Sequence, residues 1–332
     1  MKTKRKVLVL ALMFALLLIT TAKTEKAYGW GPCSHIYFTE KALKIAGNTT
    51  LTTIIMNNKD WFMTGMMYPD VTVIYYYTEW KSYRATHAWT FQHELWREAQ
   101  ESGDQRAMAF ALGVAVHLLQ DSITHNLWIP EKIRGTFVQN NIIHPLSEGL
   151  LESRLISDPE MGGLVKAMSI NSFANYEIRF TDDPYFYDPE RGVYLNPVEW
   201  CDKVLGRNTT ESFWNDAVTF NGILSGGNFY TKGYVLPQAG GWWSIYKGFS
   251  DTIRPLVSTS DADKYINQTI SATVDFFRYG KGDDPEAFVG QVDPTGYDSL
   301  KAADSFVVQW TIAIVTIAVG VLAFYYKRRK RD

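Results

Sequence analysis

The chain has 332 residues, enough to bury a full core as one large domain or two. Hydrophobic residues make up 46% of it, which excludes a disordered chain. Residues 1–29 hold six Lys/Arg against one acid and residues 305–332 five against one, so 30–304 keeps 22 basic and 33 acidic residues, a net of −11 that suits long nucleic acids poorly.

The N-terminus opens with Lys2, Lys4, Arg5 and Lys6, followed by the apolar run Val7–Ile19. That run is shorter than the ~20 residues a spanning helix needs, so it reads as a signal peptide over residues 1–29. Ala27 and Gly29 are placed like a signal-peptidase recognition pair, which would start the mature chain at Trp30; cleavage after Ala22 is the alternative. "HIYFTEKALKIAG" reads as a helix closed by Gly47, and the sequence stays helix-rich to about Glu152. "DQRAMAFALGVAVHLLQDSITHNLW" is the strongest helix, with no proline before Pro130 and apolar residues around its whole circumference, so it should be buried. "IIHPLSEGLLESRL" begins another, with Pro145 tolerable in a first turn.

From about Phe180 to Trp243, turn residues and aromatics predict long ordered loops with short helices between them. "SDADKYINQTISATVDFFRYG" reads as the last helix of the body, and 286–304 as a juxtamembrane linker. Phe306–Tyr326 carries no charge, is long enough to span a membrane, and is followed by Lys327, Arg328, Arg329, Lys330 and Arg331. Positive charge stays inside, which places the body outside the cell. The expectation is an all-α, multi-helical exterior domain over 30–285, a transmembrane helix over 305–326 and a basic cytoplasmic tail over 327–332. Asn48, Asn208 and Asn267 begin sequons that fit an exterior surface. For the two cysteines, Cys33 and Cys201, a disulfide is the default in that compartment.

All six histidines, at 35, 87, 93, 117, 125 and 144, lie in the first half of the chain. His117, Asp121 and His125 are spaced i, i+4, i+8, so they project from one broad helix face, each step of four climbing ~6 Å. The outer two are ~12 Å apart along the axis. Ligand bonds of ~2.0–2.2 Å cannot bridge that, so His117 and His125 should serve different ions. His144 and Glu148 repeat the i, i+4 pattern on a second helix. Buried His and Asp need partners, and a cation satisfies several at once. Asp70 in "TGMMYPDV" is a candidate carboxylate or a turn residue; His87 competes with His93, which sits inside a helix pattern.

Trp30-x4-His35, Tyr-Pro-Asp70, Thr-His87, His117-x3-Asp121-x3-His125 and His144-x3-Glu148 together resemble, in their order, the zinc-dependent phospholipase C family. Fungal zinc nucleases that degrade single strands share its fold and ligand set. The resemblance covers roughly 30–150 and implies three zinc ions in a cleft of a helical fold. It implies one ion on Asp70, His87, His117 and Asp121. A second would take His35, Asp121 as a bridge, and the amine and carbonyl of an N-terminal Trp30; a third would take His125, His144 and Glu148. The close spacing of Asp121 and His125 looks like the catalytic domain of glycosylphosphatidylinositol-specific phospholipase D.

The leading expectation is therefore a membrane-anchored zinc phosphodiesterase that hydrolyses phospholipid head groups through a metal-bound hydroxide, with Asp70 orienting the water. Its partners would be phospholipid and the membrane, with no stable nucleic-acid partner. Phospholipase D-type cleavage, a single-strand nuclease or nucleotidase, and a zinc-stabilised surface scaffold are the alternatives. Tyr75, Tyr76 and Tyr77 lie between Asp70 and His87, as candidates to line the cleft mouth or as ordinary packing.

Overall fold

A computed structural model describes residues 32–71, 85–132, 186–206, 262–290, 292 and 294. The signal peptide, the transmembrane helix, Trp30, Tyr75, Tyr76, Tyr77, His144 and Glu148 lie outside those residues, as does the side chain of Cys33.

The described chain is mostly helical. Helix α1 spans Pro32–Ala46, α2 Thr50–Asn57, α3 Lys59–Val71, α4 Trp89–Ser102 and α5 Gln105–Ile123. A π-helical turn, Thr124–Trp128, runs on into α6, Ile129–Lys132. Strands β1, Phe186–Asp188, and β2, Val193–Leu195, precede α7, Pro197–Leu205; α8, Ala262–Tyr279, and a 3-10 turn, Pro285–Phe288, follow.

Helix α5 is the axle of the domain. Asp104 caps its N-terminus, its Oδ1 accepting from the Arg106 N–H at 2.8 Å. Every residue from Ala109 to Ile123 is buried, and α2, α3, α4 and α8 all pack against it. The stretch Gln105–Glu131 is long and apolar enough to cross a membrane, but 94% of its most apolar window is buried in the domain, as a core helix requires.

Helices α3 and α5 cross with their backbones in contact. A Cβ on Gly65 would sit 2.0 Å from the Phe110 carbonyl oxygen, and one on Gly113 would sit 2.1 Å from that of Phe62. Neither neighbour can rotate away, since both are main chain. Asp70 follows Gly65 by five residues and His117 follows Gly113 by four, so the crossing lies about 6–8 Å along each helix from a candidate ligand.

Where long loops were expected, residues 186–195 form an antiparallel hairpin pairing Phe186 with Leu195, Tyr187 with Tyr194 and Asp188 with Val193. Gly192, at φ 66°, supplies the left-handed residue of its turn. Asn196 and Glu199 then close a capping box around Pro197 and launch α7. This unit is fixed to α4 by a half-buried lysine. Lys203 Nζ lies 3.2 Å from Glu98 Oε2, 3.0 Å from Asp188 Oδ1 and 3.0 Å from Glu190 Oε2. Trp200 Nε1 donates to the same Glu98 oxygen at 3.0 Å.

The segment after α8, where the juxtamembrane linker was expected from 286, begins packed on the domain. Phe288 and Val289 pack against the core, Trp89 Nε1 donates to the Val292 carbonyl at 2.7 Å, and Gln92 Nε2 donates to the Gly282 carbonyl at 2.7 Å. Gly282, at φ 100°, lies so close to the Trp96 ring that a Cβ would fall 2.2 Å from it. Val292 and Pro294 thus also touch the domain. Cys201, for which a bridge was expected, is a free and fully buried thiol hydrogen-bonded to Tyr68, and burial pushes it well above its ordinary range.

Two substitutions test these contacts. Gly113→Ala gains about 1 kcal/mol of helix propensity, yet the forced separation of α3 and α5 should outweigh it and leave a net loss of about 1–2 kcal/mol, read by urea denaturation. Asp188→Asn probes the lysine knot. Burial acts to raise the Asp188 carboxyl, but Lys203 and the Arg191 and Glu190 backbone N–H groups outweigh it and hold it below the ordinary carboxylate range. Its contribution is present above pH ~4 and is lost as pH falls through the folded-state value. The stability gap between native and Asp188→Asn protein should therefore close as urea titrations move from pH 6 to pH 3.

Candidate metal centre

Five side chains from four separate segments meet at one end of the α3–α5 crossing. His35 comes from α1, Asp70 from the last turn of α3, His87 from the turn ahead of α4, and His117 and Asp121 from α5. The three histidines and Asp121 are wholly buried; the Asp70 side chain keeps 13% exposure, the only opening to solvent among the five. The sequence produces this locally. The i, i+4 spacing stacks His117 and Asp121 on one face of α5. Pro69 removes a backbone donor from the last turn of α3, which ends two residues beyond it.

Asp121 divides the cluster. Its Oδ1 lies 3.3 Å from His35 Nε2, while its Oδ2 lies 3.2 Å from His117 Nε2 and 3.7 Å from His87 Nε2. His117 and His87 Nε2 are 3.3 Å apart, and Asp70 Oδ1 is 3.8 Å from His117 and 3.9 Å from His87. Zinc bonded tetrahedrally at ~2.0–2.1 Å sets neighbouring donors about 3.3–3.4 Å apart. Five edges among Asp70, His87, His117 and Asp121 fall between 3.2 and 3.9 Å, so small inward shifts would complete the tetrahedron. The donor types fit as well: imidazole nitrogen and carboxylate oxygen are ordinary zinc ligands. The sets His87, His117, Asp121 and His35, Asp70, His117 could each hold an ion.

The rings are aimed by partners on their outer side. His35 Nδ1 is 2.8 Å from Gln120 Oε1, and His87 Nδ1 is 3.3 Å from Thr86 Oγ1. Both therefore turn Nε2 inward. The His35 and His117 rings stack at 4.2 Å. His125 stands apart, in the π-helical turn, with Nδ1 hydrogen-bonded to the Pro294 carbonyl. One extra residue per turn widens the helix there and re-aims the side chain relative to α5.

Charge in the cluster is tightly balanced. Burial opposes ionisation of Asp121, but His117 and His35 outweigh it and hold the carboxyl well below its ordinary value. Burial likewise opposes a charged His117, yet Asp121 and Asp70 raise it overall. Asp70, by contrast, is raised, chiefly by burial and also by Asp121, despite the pull of His117. A cation between these groups would satisfy both carboxylates at once.

His93, the competitor of His87, lies on the outer side of α4, 37% exposed and 3.1 Å from Glu286. Sequence reasoning passed over Gln120. It is a fully buried amide between candidate ligands, and that burial in an apolar helix was the available signal.

Residues 34–192 match the family model described as zinc-dependent phospholipase C. This segment carries a zinc-dependent phospholipase C domain. No curated protein and no solved structure matches the chain. The match takes in His35 through Glu148 and ends in the β-hairpin, so α7 and α8 lie beyond it. A zinc-dependent phospholipase C domain makes the chain a zinc-dependent phosphodiesterase hydrolase, with zinc as its cofactor.

Removing zinc leaves two buried carboxylates and three imidazoles facing one another. Exhaustive EDTA treatment should lower the melting temperature by roughly 10 °C, on a binding contribution of about 4 kcal/mol when zinc stands at a thousand times its Kd. Zinc add-back should restore it, and differential scanning calorimetry reads both steps.

Proposed function

We propose that this protein is a membrane-anchored enzyme that cleaves phospholipid head groups in the phospholipase C manner, its domain facing the exterior. The observation that carries this reading is Asp121, whose two oxygens face His35 on one side and the His87–His117 pair on the other. A carboxylate so placed can bridge two ions.

In this reading Asp70, His87, His117 and Asp121 hold one zinc. His35 and Asp121 hold a second, with the amine and carbonyl of Trp30 if the chain is cut after Gly29. His125, His144 and Glu148 hold a third. Bound zinc supplies Lewis acidity towards phosphate oxygens and lowers the pKa of water towards ~7. The remaining work falls to the chain. Asp70, partly open to solvent, accepts a hydrogen bond from the attacking water and orients it. Water oxygen joins phosphorus and gives up a proton, the bond from phosphorus to the glycerol oxygen breaks, and that oxygen takes up the released proton to leave as diacylglycerol. The buried wall formed by α5 excludes other water from the opposite side.

The Tyr75–Tyr77 run is proposed to line the approach, and the apolar Phe306–Tyr326 segment to anchor the domain beside its substrate. The test is hydrolysis of phospholipid in mixed micelles by the full chain, zinc-restored after EDTA. Phosphorylated head group with diacylglycerol is the expected product pair. Free head-group alcohol with phosphatidic acid would assign the D-type cut instead, and hydrolysis of single-stranded DNA alone would assign a nuclease. N-terminal sequencing of the same preparation should begin at Trp30.

A further inference from the structure

His35 reaches the centre with one ring nitrogen, and the other is held by an amide whose orientation can be deduced. Gln120 Nε2 lies 3.1 Å from Thr39 Oγ1 and 3.4 Å from Thr273 Oγ1. Each threonine hydroxyl has a single hydrogen, and each is already committed. Thr39 donates to Met66 Sδ at 3.3 Å, and Thr273 donates to the Thr269 carbonyl at 2.8 Å. Both hydroxyl oxygens can therefore only accept from Gln120, which places the amide nitrogen on the threonine side. The amide oxygen is left for His35 and accepts from Nδ1–H at 2.8 Å. His35 Nε2 then has no hydrogen and turns its lone pair towards Asp121 Oδ1, 3.3 Å away. Two acceptors facing each other in a dry site need a cation between them.

We infer that Gln120, held by Thr39 and Thr273, is a positioning residue that fixes the tautomer and aim of His35 for metal binding. The inference rests on the reading of His35 as a zinc ligand. Gln120, Thr39 and Thr273 are all fully buried, so the relay is sealed from water. Thr273 sits on α8, beyond the segment that matches the family. Helix α8 thus supports the metal centre through Thr273. A neutral amide, unlike a carboxylate, orients the ring without adding charge beside Asp121.

The experiment measures zinc affinity of the full chain by competition with a chromophoric chelator, alongside the melting temperature of the zinc-free protein. Gln120→Leu should weaken one zinc by about 10–100-fold and leave the rest unchanged. Gln120→Glu keeps an acceptor for Nδ1–H but loses the donor to Thr39 and Thr273 and adds charge beside Asp121, so it should recover that affinity only in part. Thr273→Val should weaken the same ion to a smaller extent, with recovery in Thr273→Ser; this pair decides the matter if Gln120→Leu does not fold. Long-range 1H–15N spectra of the zinc-loaded native protein should show the His35 proton on Nδ1. Uniform weakening of all ions together with a lower zinc-free melting temperature would reduce Gln120 to a packing role and overturn the relay. His35→Ala separates the two ideas. If it loses one zinc while Gln120→Leu binds normally, the relay fails and the ligand assignment stands; if His35→Ala binds the full complement, both fail.

Discussion

A carboxylate with no access to water sits at the centre of this domain, and most of the surrounding architecture can be understood as compensation for it. Asp121 lies on the most buried helix of the described chain. An isolated ion there would cost several kcal/mol, far more than any one helix contact returns. Three imidazoles are brought to it from α1, from the turn before α4 and from α5 itself. Each must be oriented from behind, because a ring free to flip would present the wrong nitrogen. The glycine-to-glycine crossing of α3 and α5 exists on the same terms: it brings the Asp70 carboxylate within reach by removing every side-chain atom between two backbones.

Two tiers of polar chemistry result. The inner tier is charged and aimed at a common point. The outer tier is neutral: an amide, hydroxyls and backbone carbonyls. Neutral partners suit this place, since further charge behind the rings would compete with the cation the inner tier is built to hold. The lysine knot at Lys203 shows the contrast elsewhere in the same domain. There a side-chain ammonium supplies the cation permanently, and the result is a rivet between α4, the hairpin and α7. At the centre the cation is left to come from outside, and the result is a site.

Much of the inner tier was legible in sequence because helical spacing is a strong constraint. His117 and Asp121 four apart on an all-apolar helix had to share a face and had to be buried. The motif order named the family before any geometry was available. Position alone does not separate His87 from His93, since both stand near the start of the same helix; the Thr-His motif favoured His87, and the structure buries His87 and leaves His93 partly exposed. Burial in an apolar helix could flag Gln120, but what it does was unreadable for a different reason. Its role is set by hydroxyls 81 and 153 residues away in sequence, and no period links them. The hairpin was taken for loop because its strands are only three residues long and its aromatics resemble turn-flanking residues. The cysteine pair followed a compartment rule, but Cys201 was claimed by the core.

The bond between His125 and the Pro294 carbonyl has a consequence for reach. It pins residue 294 to the π-helical turn that follows α5, about one helical turn beyond Asp121. Eleven residues, or twelve Cα-to-Cα steps, lie between that point and Phe306, where the apolar run proposed as an anchor begins. Fully extended, they span at most roughly 40 Å. With that anchor in place, residue 294 could never stand further than this from the membrane surface, less than the diameter of many globular proteins. The enzyme would then be confined to the lipid that holds it. Its working concentration would be set by the density of the bilayer rather than by diffusion, and a second membrane would come within range only where two bilayers lie close together.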